Sequence, residues 1–280
     1  KSLEKVESGA IRECVRAIYE HGASRLEQLF YLYAGEKEVV VENRLLWDKP
    51  WHEFKIGFPL GIMKPMTKAE GSYCTISRTI SDDDQYYMHR FLDVSNQKLQ
   101  GLAIANDGRY SFSISHGTLL LVAARSAMYA QGDGKEWYCP LESYEYTDLG
   151  TMKFTLVLRP HGTELPVPEL YRMATRIHSA YDYLADSSHD GVTSASQFSL
   201  ASTDQAGVEI MATKRSEEDE DIIVRVLETE GKDQSYRLCI LGLSFDLKIG
   251  HHEVQSFKIN IGNKIIKQVN LLEFEAGISD

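Results

Sequence analysis

The sequence predicts a mainly β chain: a large antiparallel, supersandwich-like β-sandwich, one helix, then a smaller β-sandwich. Three observations predict it. Apolar and polar residues alternate with a period of two through most of the 280 residues, as half-buried strands require. Gly, Asn and Asp punctuate that alternation at short intervals. Only one segment carries a helical period.

The first strands run Ile11–Tyr19, Leu26–Tyr33 and Glu38–Trp47, separated by His21-Gly22 and Ala34-Gly35-Glu36. Short Gly-containing turns between consecutive strands predict an antiparallel meander. Further strands are expected at Glu53–Phe58, Gln85–Leu92, Gly101–Ala105, Tyr110–Ser115, Thr118–Ala123 and Met152–Arg159. Asn106-Asp107-Gly108 and His116-Gly117 supply the positive-φ positions that tight turns need. In Pro166–His178, Leu170, Met173, Ala174 and Ile177 fall on one helical face. Pro168 and Glu169 suit a first turn, so a helix is predicted over Pro168–Ala180. The polar stretch Asp186–Ser196 reads as a linker. Strands resume at Gly207–Thr213, Asp221–Glu228, Ser235–Leu241, Leu243–Lys248, Val254–Ile261 and Ile265–Leu272. The expected organisation is a large sandwich over residues 1–165, helix and linker over 166–195, and a small sandwich over 196–280.

Composition narrows the function. Hydrophobic residues make up 43% and charged residues 25%, ordinary for a globular chain. A net charge of −11 disfavours a nucleic-acid partner, whose phosphates want a basic face. No apolar run approaches the ~20 residues that span a bilayer, so no membrane partner is expected. The chain opens on Lys1 without an initiator Met or an apolar leader, which predicts a piece excised from a longer protein. Cys14, Cys74, Cys139 and Cys239 are too widely spaced for a metal knuckle. Reduced structural thiols and a cytoplasmic setting are the expectation.

Local chemistry is sparse. The acids in Lys214–Asp221 and Asp82-Asp83-Asp84 lack the spacing of a calcium loop and read as solvated turns. His251-His252-Glu253 is the strongest metal-like string, but neighbours on a strand point to opposite faces, and the segment reads as a hairpin loop. Ser115 and Ser126 lack a nucleophile elbow. Trp47, Trp51, Trp137 and Tyr129 could stack on sugar rings or fill a sandwich core.

An ordered set of strings carries a resemblance. Val6–Arg12, Leu32-Tyr33-Ala34-Gly35, Trp47, Phe54–Leu60, Gly101–Tyr110, Thr118–Ser126, Asp148-Leu149-Gly150, Phe154 and Arg159-Pro160-His161 follow one another along the chain. Asp221–Glu228 and Val269–Glu273 follow in the last part. In this order they resemble the carboxyl-terminal β-domain region of glycoside hydrolase family 38 α-mannosidases. Three positions depart from that pattern: Leu46 before Trp47, Lys64–Thr67, and Ser111 after Tyr110. Loop details near them do not transfer.

The resemblance implies a retaining, zinc-dependent parent enzyme acting on α-mannosides, with two carboxyl groups about 5–5.5 Å apart across the scissile bond. It implies that the nucleophile, the acid/base carboxylate and the zinc lie in a catalytic barrel outside this chain. No catalytic residue, metal ligand or cofactor is therefore expected within residues 1–280. The barrel would be an intramolecular partner, and the parent would bind the α-mannoside. A homo-oligomer remains open, since a sandwich cut from its barrel exposes an apolar docking patch. Candidates for the pocket rim or the domain interface are Asn106, Asp107, Arg109, Tyr110, Arg125 and His161. For His161 a hydrogen-bonded structural role at a strand end stands beside this one, and for Asn106–Gly108 turn geometry does. Two readings compete: a stand-alone carbohydrate-binding sandwich without activity, and a plain structural module.

Overall fold

Alternating strands become sheets where one face finds cover, and this chain covers its strands in layers. The computed structural model describes residues 1–81, 84–128, 145–179, 181–187, 190–191 and 197–275. It divides into two units, Lys1–Gly71 with Ile76–Ser179 and Ser72–Thr75 with Ala180–Asp280.

The strands up to the helix are β1 (Ser2–Ser8), β2 (Arg12–His21), β3 (Ser24–Tyr33), β4 (Val39–Trp47), β5 (Glu53–Pro59), β6 (Met66–Gly71) and β7 (Cys74–Thr79). They continue with β8 (Gln85–Tyr87), β9 (Phe91–Ser95), β10 (Gly101–Asn106), β11 (Ser111–Ser115), β12 (Thr118–Arg125) and β13 (Gly150–His161). Among the described residues they build a nine-stranded sheet, β1-β2-β3-β4-β13-β10-β9-β6-β7, and a four-stranded sheet, β5-β12-β11-β8. The predicted meander is present as β2-β3-β4, with antiparallel pairing throughout.

The two sheets share one core. Val41, Leu45, Trp47, Leu92, Val94, Ile104, Phe154 and Leu156 from the large sheet meet Phe112, Ile114, Leu119 and Leu121 from the small one. The large sheet is also covered on its other side. The helix α1 (Val167–His178) packs on β9, β10 and β13. In β10, Leu102 and Ile104 enter the inter-sheet core, while Ala103 and Ala105 point the other way, where their small side chains let α1 approach. Phe91 on β9 meets Tyr171 on α1 edge-on, with ring centroids 5.1 Å apart. With both faces covered, β9 is buried at every residue. Charge fixes the helix further: Arg176 donates to both carboxylate oxygens of buried Glu38 at 2.6 and 2.8 Å, and Arg159 pairs with Glu169 at 3.2 Å.

The second unit holds β14 (Ala201–Thr203), β15 (Val208–Arg215), β16 (Ile222–Glu228), β17 (Gln234–Ile240), β18 (Leu243–Ile249), β19 (Val254–Asn260) and β20 (Ile265–Val269). A three-stranded sheet, β14-β17-β18, faces a four-stranded one, β15-β16-β19-β20. Val208, Val224, Val226, Phe257 and Ile259 pack against Tyr236, Leu238, Ile240 and Ile249. Glu228 closes this core at the end of β16. Its carboxylate is fully buried and accepts from the backbone N–H of Glu230, Gly231, Lys232 and His252, and from the Gln234 amide, at 2.7–3.2 Å. Burial opposes the charge, but these donors outweigh it and hold the carboxyl below the usual range.

One expectation needs correction. Gln85–Leu92 is not one strand: it breaks after Tyr87, and β8 and β9 lie in different sheets. The chain crosses between layers at Met88–Arg90, where Met88 N–H donates to the Tyr110 carbonyl and His89 N–H to the Glu70 carbonyl. Of the two readings of Trp47, filling the core is the one that holds. Trp47 lies in the core, edge-on to Phe54 at 5.3 Å, and its indole N–H donates to Ser126 Oγ at 2.6 Å. Strands β1, β6, β7 and β14 add to those expected. Cys139, Trp137, Tyr129, Asp82, Asp83 and part of the 186–196 linker lie outside the described residues. Cys14, Cys74 and Cys239 are free thiols.

Candidate functional site: the Asn106–Tyr110 rim

Strand β10 ends at Asn106 in one sheet and β11 begins at Ser111 in the other, so residues 106–110 form a second crossing between layers. It runs beside the Met88–Arg90 crossing, with Asn106 N–H donating to the Arg90 carbonyl at 2.8 Å. Asn106 organises this rim. Its buried amide donates to the His89 carbonyl, and its Oδ1 accepts from Gly108 and Arg109 N–H at 2.9 and 2.6 Å. The Asx geometry that the sequence suggests is thus made by one residue serving both crossings. Truncation of Asn106 to Ala is expected to cost about 2 kcal/mol, because the His89 carbonyl and two N–H groups lose their partner. Urea denaturation measures it, and a loss below about 0.5 kcal/mol sinks the assignment.

The other candidates divide. Asp107 accepts from Thr155 N–H at 2.9 Å, tying the turn to β13. The Arg109 guanidinium lies 4.3 Å from the Phe154 ring centroid and donates to the Gly108 carbonyl at 3.2 Å. Its Nε is buried without a hydrogen-bond partner. Burial pulls the Arg109 pKa down, and the nearby carboxylates of Asp148 and Asp107 oppose that. Asp148 also accepts from Arg125 N–H at 2.9 Å, so it links Arg109 to Arg125. Arg125 lines a pocket of about 260 Å³ together with Trp51, which is 51% exposed and edge-on to Tyr146. Tyr110 is 60% exposed on the same turn.

His161 does not join them. The antiparallel register sets His161 opposite Gly101 and Leu156 opposite Asn106, at opposite ends of β10. Its side chain is buried, with Nδ1 near the Leu99 and Thr163 carbonyls at 3.0 and 2.7 Å and Nε2 at 2.7 Å from Asp93 Oδ1. With two carbonyls at Nδ1, that nitrogen donates, and Nε2 faces the Asp93 carboxyl. Burial pushes the Asp93 pKa up, and His161 opposes that shift. This pair joins β9 and β13 beneath the helix side of the sheet. Sequence reasoning missed Asp93, since an acid inside an apolar strand carries no spacing signal.

The other histidine string forms the turn between β18 and β19. His251 N–H donates to Asp233 at 3.0 Å, whereas His252 N–H donates to Glu228. Among the described residues, no three His, Cys, Asp or Glu converge to hold a metal ion. Nor is any described helix long and apolar enough to cross a membrane.

A family model described as the glycosyl hydrolases family 38 C-terminal domain matches residues 1–133. No curated protein matches the sequence. An α-mannosidase from Enterococcus faecalis V583 shares the fold with a TM-score of 0.75 over 92% of this chain, at 13% identity. A second structure, a family 38 glycosyl hydrolase from Enterococcus faecalis, gives the same TM-score, coverage and identity. This chain spans 35% and 36% of the length of those two proteins. Residues 1–133 therefore match the carboxyl-terminal domain of glycosyl hydrolase family 38, and most of the chain shares its fold with part of an α-mannosidase.

Proposed function

We propose that this chain is the carboxyl-terminal, non-catalytic β region of a retaining, zinc-dependent α-mannosidase. It supports the catalytic barrel of the parent, and its Asn106–Tyr110 turn rims the α-mannoside pocket. The family match over residues 1–133 carries this reading. The fold likeness supports it, because a chain covering 35% of an α-mannosidase leaves most of that protein for the catalytic part. The described residues fit no zinc site, so zinc and both catalytic carboxylates are assigned to the parent's remaining part, and no chemical step is routed through this chain.

Within the rim the roles differ by exposure. Asn106, Asp107 and Arg109 are committed to the turn, to β13 and to Phe154. Tyr110, Arg125 and Trp51 face outward and are the groups that a sugar or a neighbouring domain would meet. A half-buried guanidinium with no ion pair among the described residues, flanked by Asp148 and Asp107, holds that edge polar.

Tyr110→Ala in the full-length protein tests the rim. An exposed side chain at a turn changes stability by less than about 0.5 kcal/mol, so kinetics report contact and not folding. Loss of a stacking or hydrogen-bonding rim residue is expected to lower kcat/KM on p-nitrophenyl α-mannoside about tenfold, from about 1.4 kcal/mol of lost interaction. Unchanged kinetics would reduce the turn to scaffold. Full-length protein without α-mannosidase activity would remove the parent assignment.

A further inference from the structure

Beside the β2-β3 hairpin, residues of β2, β3, β4 and β5 line a cleft of about 370 Å³. Its floor is apolar: Tyr19, Leu26, Leu45, Trp47 and Phe54. Its polar side chains are His21, Lys49 and His52, with Ser24 already engaged by Asp48 N–H at 3.0 Å. Lys49 Nζ lies 3.3 Å from where a Cβ would stand on Gly22, so the ammonium reaches across to the hairpin tip. His52 Nδ1 sits 2.7 Å from the Pro50 carbonyl and donates to it, so Nε2 of the neutral ring is an acceptor and plays no part in holding an anion. Glu20 and Arg25 border the cleft but stand opposite each other in the hairpin register. Alternation turns them to the face away from Tyr19 and Leu26. No carboxylate side chain on the cleft's own face neutralises Lys49, and no ion pair of Lys49 is seen among the described residues.

We propose that this cleft binds a small organic anion with an apolar body, of the aryl- or alkyl-carboxylate class. Charge selects the anion, because the Lys49 ammonium borders an apolar floor with no carboxylate side chain on that face. Volume selects a small molecule. The cleft lies at the lower end of the roughly 300–1,000 Å³ typical of ligand pockets. A helix about 10 Å across needs more room for two turns. The ligand's ring or branched chain lies on Tyr19 and Phe54, and its carboxylate meets Lys49 Nζ. The site is separate from the Asn106–Tyr110 rim, so its fate is independent of the mannosidase reading.

Isothermal titration of the full-length protein with phenylacetate and with its neutral isostere phenylacetamide tests this. Phenylacetate is expected to bind with a Kd of about 1 mM, as suits so small a ligand. Phenylacetamide should bind at least about tenfold more weakly, since it lacks the charge-assisted bond. Lys49→Met should weaken phenylacetate about tenfold and leave phenylacetamide unchanged, whereas Tyr19→Ala should weaken both. Lys49 is on a loop and Tyr19 at a strand end, and an unchanged circular dichroism spectrum verifies that each variant folds. Equal affinity for the two ligands, no heat from phenylacetate, or a Lys49→Met variant that binds phenylacetate like the parent would each overturn the proposal.

Discussion

Replacing Glu228 with Ala lowers the stability of the second unit by about 4 kcal/mol, among the largest effects expected of any single side chain in this protein. The carboxylate is fully buried and five donors converge on it, four of them backbone N–H groups of residues 230–232 and 252. Removing it strands those donors, and each unsatisfied buried donor costs about 1–3 kcal/mol before the loops relax toward water. Glu228→Gln keeps the volume but turns an NH₂ toward groups that are themselves donors, so an intermediate loss is expected. The sign of the pH dependence follows from the depressed pKa. The wild-type contribution is fully present above the unfolded value of about 4.3 and is lost as pH falls through the lower folded value. Urea denaturation at neutral and acidic pH should therefore show the gap between wild type and Glu228→Gln closing on acidification. A gap of equal size at pH 7 and pH 3 would refute the caged carboxylate.

Gly101→Ala is expected to destabilise the first unit by about 3 kcal/mol, by overpacking a close backbone approach. A Cβ on Gly101 would stand 2.1 Å from the Val94 carbonyl oxygen and 2.8 Å from Ser95 Cα, and neither is a flexible chain end. The residue sits where β10 meets β9 and β13 at once, opposite Ser95 and His161, so a shift there also disturbs the Asp93–His161 bond. Gly35→Ala is the control. Its φ of +82° makes the substitution strained, but nothing lies within 4 Å, and about 1 kcal/mol is expected. Thermal melts of the two variants separate crowding from dihedral strain. Equal losses would show that space is not what selects glycine at position 101.

Much of the fold was legible because it rests on local pattern. The β2-β3-β4 meander, the hairpin around residues 216–221 and α1 each follow from alternation, turn residues or a helical face. What escaped depends on partners distant in sequence. Nothing inside Gln85–Leu92 marks a break, since no Gly or Pro interrupts it and Tyr86, Met88 and Leu92 all reach the core. The break exists because carbonyls of Tyr110 and Glu70 wait for Met88 and His89. Strand β6 hid behind Lys68 and Glu70, whose charges argue for a loop until Arg90 is placed on Glu70 at 2.5 Å. The candidate site followed the same division. The Asx turn of Asn106 was readable, being made within four residues. The stack of Arg109 on Phe154 and the shared Asp148 were not, because they join segments tens of residues apart.

The covering of β10 on both sides also constrains how such a chain can drift. Ala103 and Ala105 meet α1, while Leu102 and Ile104 meet the second sheet, so neither face can absorb added volume by swelling into solvent. A larger side chain at either alanine has to be answered by a smaller one on the helix. These positions should therefore evolve as linked exchanges of volume across the helix–sheet contact, while the outward face of the same helix drifts one residue at a time.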